Sequence, residues 1–206
     1  MFASRRILIW PLCGLAFLIG CKSNSSSRAS GIPRDSELAR KENDRAFALI
    51  SQSKYDQAEK ILRKAIAADV MFGPARNNLG LVYYHEGKLY QAAWEFQNAV
   101  KLMPYQPEPR NNLGLVFERA GKLSDAADAY DRARDMEPDN PEYIGNLARA
   151  KVRRGDDDPQ TRQLLEEIVF KDSRPQWTNW AKENLLRLNH PAPAEIEEPA
   201  TRPTTR

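Results

Sequence analysis

The sequence predicts an all-α protein, an α-solenoid of about four antiparallel helix pairs closed by one further helix. Three observations predict it. The run Asn77-Asn78-Leu79-Gly80-Leu81-Val82-Tyr83 returns 34 residues later as Asn111-Asn112-Leu113-Gly114-Leu115-Val116-Phe117. The echo continues through Gly87 and Gly121, Ala92 and Ala126, Phe96 and Tyr130, Ala99 and Ala133, and Pro104 and Pro138. Within a unit, Leu79 and Tyr83, or Leu113 and Phe117, stand four apart and share one helix face. A fixed period of this length marks an array whose units bury their apolar faces on one another.

Taken in order, the chain opens with a segment unlike the rest. Arg5 and Arg6 precede an apolar stretch, residues 7–19, interrupted by Pro11, Cys13 and Gly14. That is short of the roughly 20 apolar residues that span a bilayer. A positive end, an apolar stretch and a small residue are the order of an export signal, here residues 1–20. Leu18-Ile19-Gly20-Cys21 resembles the lipobox of bacterial lipoproteins. The resemblance implies cleavage after Gly20 and lipid attachment to the Cys21 sulfur, tethering the chain in the bacterial cell envelope. Lys22 in place of an aspartate implies the outer membrane, with the domain facing the periplasm. An uncleaved anchor ending at Cys21 would tether it as well. Residues 21–35 are serine-rich and predict a flexible linker.

The repeat units are expected at 39–72, 73–106, 107–140 and 141–174, with a capping helix at 175–189, together the ordered domain 36–189. Gly80 and Gly114 fall where two helices approach, Gly87 and Gly121 where a helix ends and the chain reverses, and Pro104 and Pro138 where the second helix stops. The first unit keeps Ala46, Leu49, Ala58, Leu62 and Ala65, with Arg45 and Val70 departing. The fourth keeps Leu147, Ala148, Gly155 and Leu164, with Lys151, Gln160, Glu167 and Asp172 departing. A leucine–glycine pair, spaced alanines, an aromatic and a closing proline at this period resemble the tetratricopeptide repeat. In 175–189, Trp177, Ala181, Leu185 and Leu188 form one stripe and Trp180 and Leu186 lie off it. The segment reads as a cap over the last pair's open edge, with a partner anchor as the alternative. Residues 190–206 contain Pro191, Pro193, Pro199 and Pro203 and predict a disordered tail.

Composition narrows function by exclusion. The 31 basic and 28 acidic residues give +3, and loss of Arg5 and Arg6 leaves 29 against 28, or +1. With both signs interspersed, no nucleic-acid face is expected. Cys13 falls in the signal and Cys21 takes the lipid, so no thiol or disulfide chemistry remains. His85 and His190 have no partner at metal-ligand spacing. Asp156-Asp157-Asp158 lacks the alternation of a calcium loop and instead suits a helix start before Pro159. No enzyme, metal, cofactor or small-molecule substrate is expected.

What the tetratricopeptide resemblance implies is a concave groove lined by first helices, taking a protein or peptide partner. It places there Asn43 and Phe47 from the first unit, Asn77, Leu81, Tyr84 and His85 from the second, Asn111, Leu115, Glu118 and Arg119 from the third, and Arg149 and Arg153 from the fourth. Some members grip a C-terminal carboxylate with lysine, asparagine and arginine. Asn78, Asn112 and the arginines supply only part of that set, so this clamp is not expected. The sequence thus predicts a membrane-tethered adaptor or scaffold lipoprotein, of the kind serving envelope or pilus assembly. A self-associating structural lipoprotein is the alternative.

Overall fold

The computed structural model describes residues 34–189. The expected export signal, Cys21, nearly all of the linker, and the tail with His190 lie outside the described residues. Among the described residues the chain forms nine α-helices in the order α1 (Ser36–Ser51), α2 (Tyr55–Ala68), α3 (Gly73–His85), α4 (Leu89–Leu102), α5 (Glu108–Arg119), α6 (Leu123–Met136), α7 (Pro141–Arg154), α8 (Pro159–Lys171) and α9 (Pro175–Asn189). This is the expected all-α solenoid. No described helix is long and apolar enough to cross a membrane.

The pairs α1–α2, α3–α4, α5–α6 and α7–α8 are joined by residues 52–54, 86–88, 120–122 and 155–158. Such short links force each helix to return antiparallel to the one before. Every turn places one residue in left-handed backbone at the 34-residue period: Ser53 at φ 56°, then Gly87, Gly121 and Gly155 at 76°, 75° and 91°. The next amide donates back across the turn, Lys88 to the Tyr83 carbonyl and Lys122 to that of Phe117, closing the helix end. Ser53 adopts this backbone against the steric preference of a residue carrying Cβ.

Close approach within a pair is set by glycine against an aromatic ring. A Cβ on Gly80 would stand 2.7 Å from Phe96 Cδ1, and one on Gly114 only 2.5 Å from Tyr130 Cε1. Phe96 and Tyr130 are fully buried. The core falls into two clusters. One gathers the first two pairs around Leu62, Leu79, Val82 and Phe96. The other gathers the last two pairs and α9 around Tyr130, Leu147, Leu164, Leu165 and Ile168.

Departures in the fourth pair are compensated locally. Lys151, where Tyr83 and Phe117 stand in earlier units, is buried, with Nζ 3.3 Å from Asp156 and 3.0 Å from Asp158. Asp158 also caps α8, accepting from the Thr161 amide at 2.9 Å. The α9 stripe is broader than its sequence pattern indicates. Trp180, which that pattern puts off the stripe, packs on the second cluster along with Trp177, Leu185 and Leu188, because α9 meets both α7 and α8. Leu186 stays 62% exposed.

Gly114→Ala should lower stability by about 1–3 kcal/mol through overpacking against Tyr130. Ser53→Gly should raise it by roughly 0.5–1 kcal/mol by relieving the left-handed serine. Urea denaturation of both variants checks the pair of signs, and an unchanged midpoint for Gly114→Ala would contradict the packing.

Candidate functional site

The first helix of each pair, α1, α3, α5 and α7, forms one row, cross-linked by side chains about one period apart. Two successive positions on these helices do opposite jobs. Asn78 Nδ2 donates to Asn43 Oδ1 at 2.8 Å, Asn112 Nδ2 to Asn77 Oδ1 at 3.0 Å, and Asn146 Nδ2 to Asn111 Oδ1 at 2.8 Å. An amide carries donor and acceptor at once, so a repeated asparagine can bridge to a neighbouring helix. Asn111 also donates to Glu142 Oε1 at 3.1 Å. The assignment of Asn43 and Asn111 to a solvent-facing groove is therefore corrected. Both are buried rungs between helices, and Asn77, half-buried, is a rung as well.

Toward the C-terminal ends of the same helices the row opens into a hollow of about 400 Å³ lined by Tyr84, Leu115, Glu118, Arg119, Arg149 and Arg153. Glu118 lies at its floor, 6% exposed. Its carboxylate accepts from Tyr130 Oη, Arg149 Nε, Arg149 Nη2 and Arg153 Nη1, each at 2.8 Å. Burial alone would raise the Glu118 pKa. Hydrogen bonds from Arg149, Tyr130 and Arg153 outweigh it and bring the value down to about 2. Burial, and then the charge of Glu118, hold the Tyr130 hydroxyl well above its ordinary range. Glu118 is thus corrected too: an ionised carboxylate with its acceptor sites filled offers a ligand nothing. What reaches solvent are the arginines.

Arg119 is exposed, its guanidinium 5.2 Å from the centre of the Tyr84 ring and its Nη1 2.7 Å from the Tyr84 carbonyl. Arg149 is held on the other side by the Trp177 ring of α9, at 5.4 Å. Arg153 leaves half its side chain in solvent. Three guanidinium groups against one carboxylate give the hollow a local charge of 3 minus 1, or +2. Of the remaining groove residues, Leu81 packs on the first cluster, Phe47 is 57% exposed on α1, and His85 turns toward α2 with its ring stacked on Tyr55 at 5.1 Å. They line no common cavity with the arginines.

Sequence reasoning missed the asparagine rungs, whose signal was the Asn-Asn doublet recurring at 77–78 and 111–112. It also missed Tyr90 and Trp94, exposed on α4 beside Arg63 and Tyr83 around a second hollow of about 350 Å³. Among the described residues no cluster of His, Cys, Asp and Glu could hold a metal ion.

The family model described as Tetratricopeptide repeat matches residues 43–107 and 111–173. The chain belongs to the tetratricopeptide repeat (TPR) family. Solved TPR structures share the fold. The first TPR of Spaghetti (RPAP3) bound to the HSP90 peptide SRMEEVD is 25% identical, with TM-score 0.58, and the match covers 61% of this chain and all (100%) of that one. The second TPR domain of human RPAP3, in complex with the HSP70 peptide SGPTIEEVD, is 23% identical at TM-score 0.53, covering 56% and 96%. MamA from Desulfovibrio magneticus RS-1 is 18% identical at TM-score 0.55, covering 75% and 78%. No curated protein matches the sequence.

Glu118 titrates below its unfolded value, so its contribution to stability is complete above about pH 4.5 and is lost as pH falls toward 2. A shift of this size corresponds to about 3 kcal/mol. Glu118→Gln should cost roughly 1.5–3 kcal/mol at neutral pH and flatten the stability profile between pH 4.5 and 2. Urea midpoints across that range read both effects.

Proposed function

We propose that this TPR chain is a membrane-tethered adaptor that receives an extended acidic segment of another protein in the hollow formed by α3, α5 and α7. It acts by binding, without chemistry of its own. The observation that carries the reading is the surplus of guanidinium charge over a carboxylate that is already saturated. Arginine pairs with carboxylates in a forked, directional way, and its cation draws acidic segments at a distance set by ionic strength. Tyr84 and Leu115 add an aromatic and an apolar wall, and tyrosine and arginine are favoured interface anchors. The peptide held by the first TPR of Spaghetti, SRMEEVD, ends in an acidic run of the same kind. The contact set proposed is Tyr84, Leu115, Arg119, Arg149 and Arg153, with Asn77, Leu81, Phe47 and His85 available to a longer partner. Membrane attachment rests on Leu18-Ile19-Gly20-Cys21. The proposed location is the envelope, on the outer membrane facing the periplasm, in the service of envelope or pilus assembly.

Fluorescence anisotropy with labelled SRMEEVD as an acidic probe tests the groove. Binding should strengthen as salt is lowered. Arg119→Ala should weaken it roughly threefold to fivefold, and Arg153→Glu should bring it close to background. A probe that binds Arg153→Glu as well as the unaltered chain sinks the reading. Cys21→Ser should abolish incorporation of labelled palmitate into the protein in the expressing bacterium, and an unaltered chain that takes up no label would count against the lipid.

A further inference from the structure

We infer that the arginine hollow has an occupant within the same chain, the acidic run Glu195-Ile196-Glu197-Glu198, which folds back on its own array and competes with the partner. The inference rests on the reading that the hollow takes acidic segments. Three observations point to this run.

The first is where α9 ends. Arg162, in the first turn of α8, donates from Nη1 to Asn189 Oδ1 at 2.7 Å and from Nη2 to the Leu188 carbonyl at 3.1 Å. This fixes the last turn of α9 beside the start of α8. The start of α8 follows the turn that begins at Gly155, two residues after Arg153. The chain therefore leaves α9 at the same end of the fourth pair from which Arg153 projects. The start of α9 also lies against the row of first helices. Trp177 of α9 packs over Gly145 of α7, where a Cβ would stand 3.1 Å from the ring, and places that ring against Arg149.

The second is reach. Glu195 lies six residues beyond Asn189, a contour of about 20 Å when extended. Neighbouring helices in a packed row stand roughly 8–10 Å apart. Six residues thus suffice to pass from the end of α9 over α7, and Glu197 and Glu198 extend the path toward α5.

The third is charge. The hollow carries +2 once Glu118 is counted, and the run brings three carboxylates within four residues, the only acidic residues in 190–206. Ile196, between them, suits the apolar wall at Leu115. A segment joined by so short a link competes at an effective concentration on the order of millimolar. An external acidic segment must displace it, so the apparent affinity of the free hollow is masked until a partner with further contacts arrives.

The test compares the full chain with its E195Q/E197Q/E198Q variant, using labelled SRMEEVD as probe and anisotropy as readout. The variant should bind on the order of tenfold more tightly than the unaltered chain. Equal affinity overturns the tail inference and leaves the hollow's acidic preference standing. Absence of binding to both proteins overturns both. A direct readout accompanies it: the side-chain Nε–H signals of Arg119 and Arg149 in nitrogen-15 spectra should differ between the two proteins. That difference should be unchanged over a tenfold range of protein concentration. A difference that grows with concentration would put the run in a neighbouring copy and overturn the intramolecular assignment.

Discussion

The Glu118 carboxylate is the charge on which the geometry of the hollow depends. A carboxylate taken out of water costs several kcal/mol unless its acceptor sites are filled. Here four donors fill them, one from Tyr130 of α6, two from Arg149 and one from Arg153 of α7. An ionised carboxylate offers about four acceptor positions, so the arrangement is saturated. The consequence is directional. Glu118 fixes where two guanidinium groups stand while neutralising only one of them, and the surplus faces solvent. The same residue therefore explains why the third and fourth pairs keep their spacing and why the row carries positive charge at one end.

That spacing has a second determinant along the helices. The rungs Asn43–Asn78, Asn77–Asn112 and Asn111–Asn146 join positions 35 apart in a protein whose repeat is 34. The extra residue means that the donor of one rung and the acceptor of the next are chain neighbours, Asn78 with Asn77 and Asn112 with Asn111. The two inner first helices, α3 and α5, are thereby tied on both sides by adjacent residues. At the array's ends the doublet is incomplete: Asp44 follows Asn43, and Gly145 precedes Asn146. Gly145 is also where Trp177 of α9 packs, so the rung is replaced there by ring contact. Termination of the ladder and docking of the cap occur at one position.

Much of the fold was legible because its determinants repeat. Gly80 and Gly114 with their aromatic partners, and the left-handed turn positions 87, 121 and 155, recur at one offset and each has one physical explanation. The site was legible only in part. Tyr84, Leu115, Arg119, Arg149 and Arg153 do come together. Asn43, Asn111 and Glu118 were misread as solvent-facing, because a period tells which helix face a residue occupies but not what stands opposite. Apart from Tyr130, the partners that satisfy them come from the next unit, 31 to 35 residues away. For the same reason Lys151 reads as a defect in the sequence. It becomes a satisfied ion only when Asp156 and Asp158 are folded back over it.

The cap couples stability to recognition. Covering an open array edge requires only apolar side chains, and Ala181, Leu185 and Leu188 supply them. Trp177 does more. Arg174 and Arg149 both stand over its ring, at 5.3 Å and 5.4 Å, and Arg174 is in turn held by Asp172 at 2.6 Å. A guanidinium over an aromatic face keeps its charge while losing freedom to swing, so Arg149 is positioned from both sides, by Glu118 and by Trp177. The edge of α9 and the floor of the hollow thus share a residue. Loosening the cap would free Arg149 toward solvent and relax its two bonds to Glu118. Closing the solenoid and orienting its cationic surface are consequently one structural event.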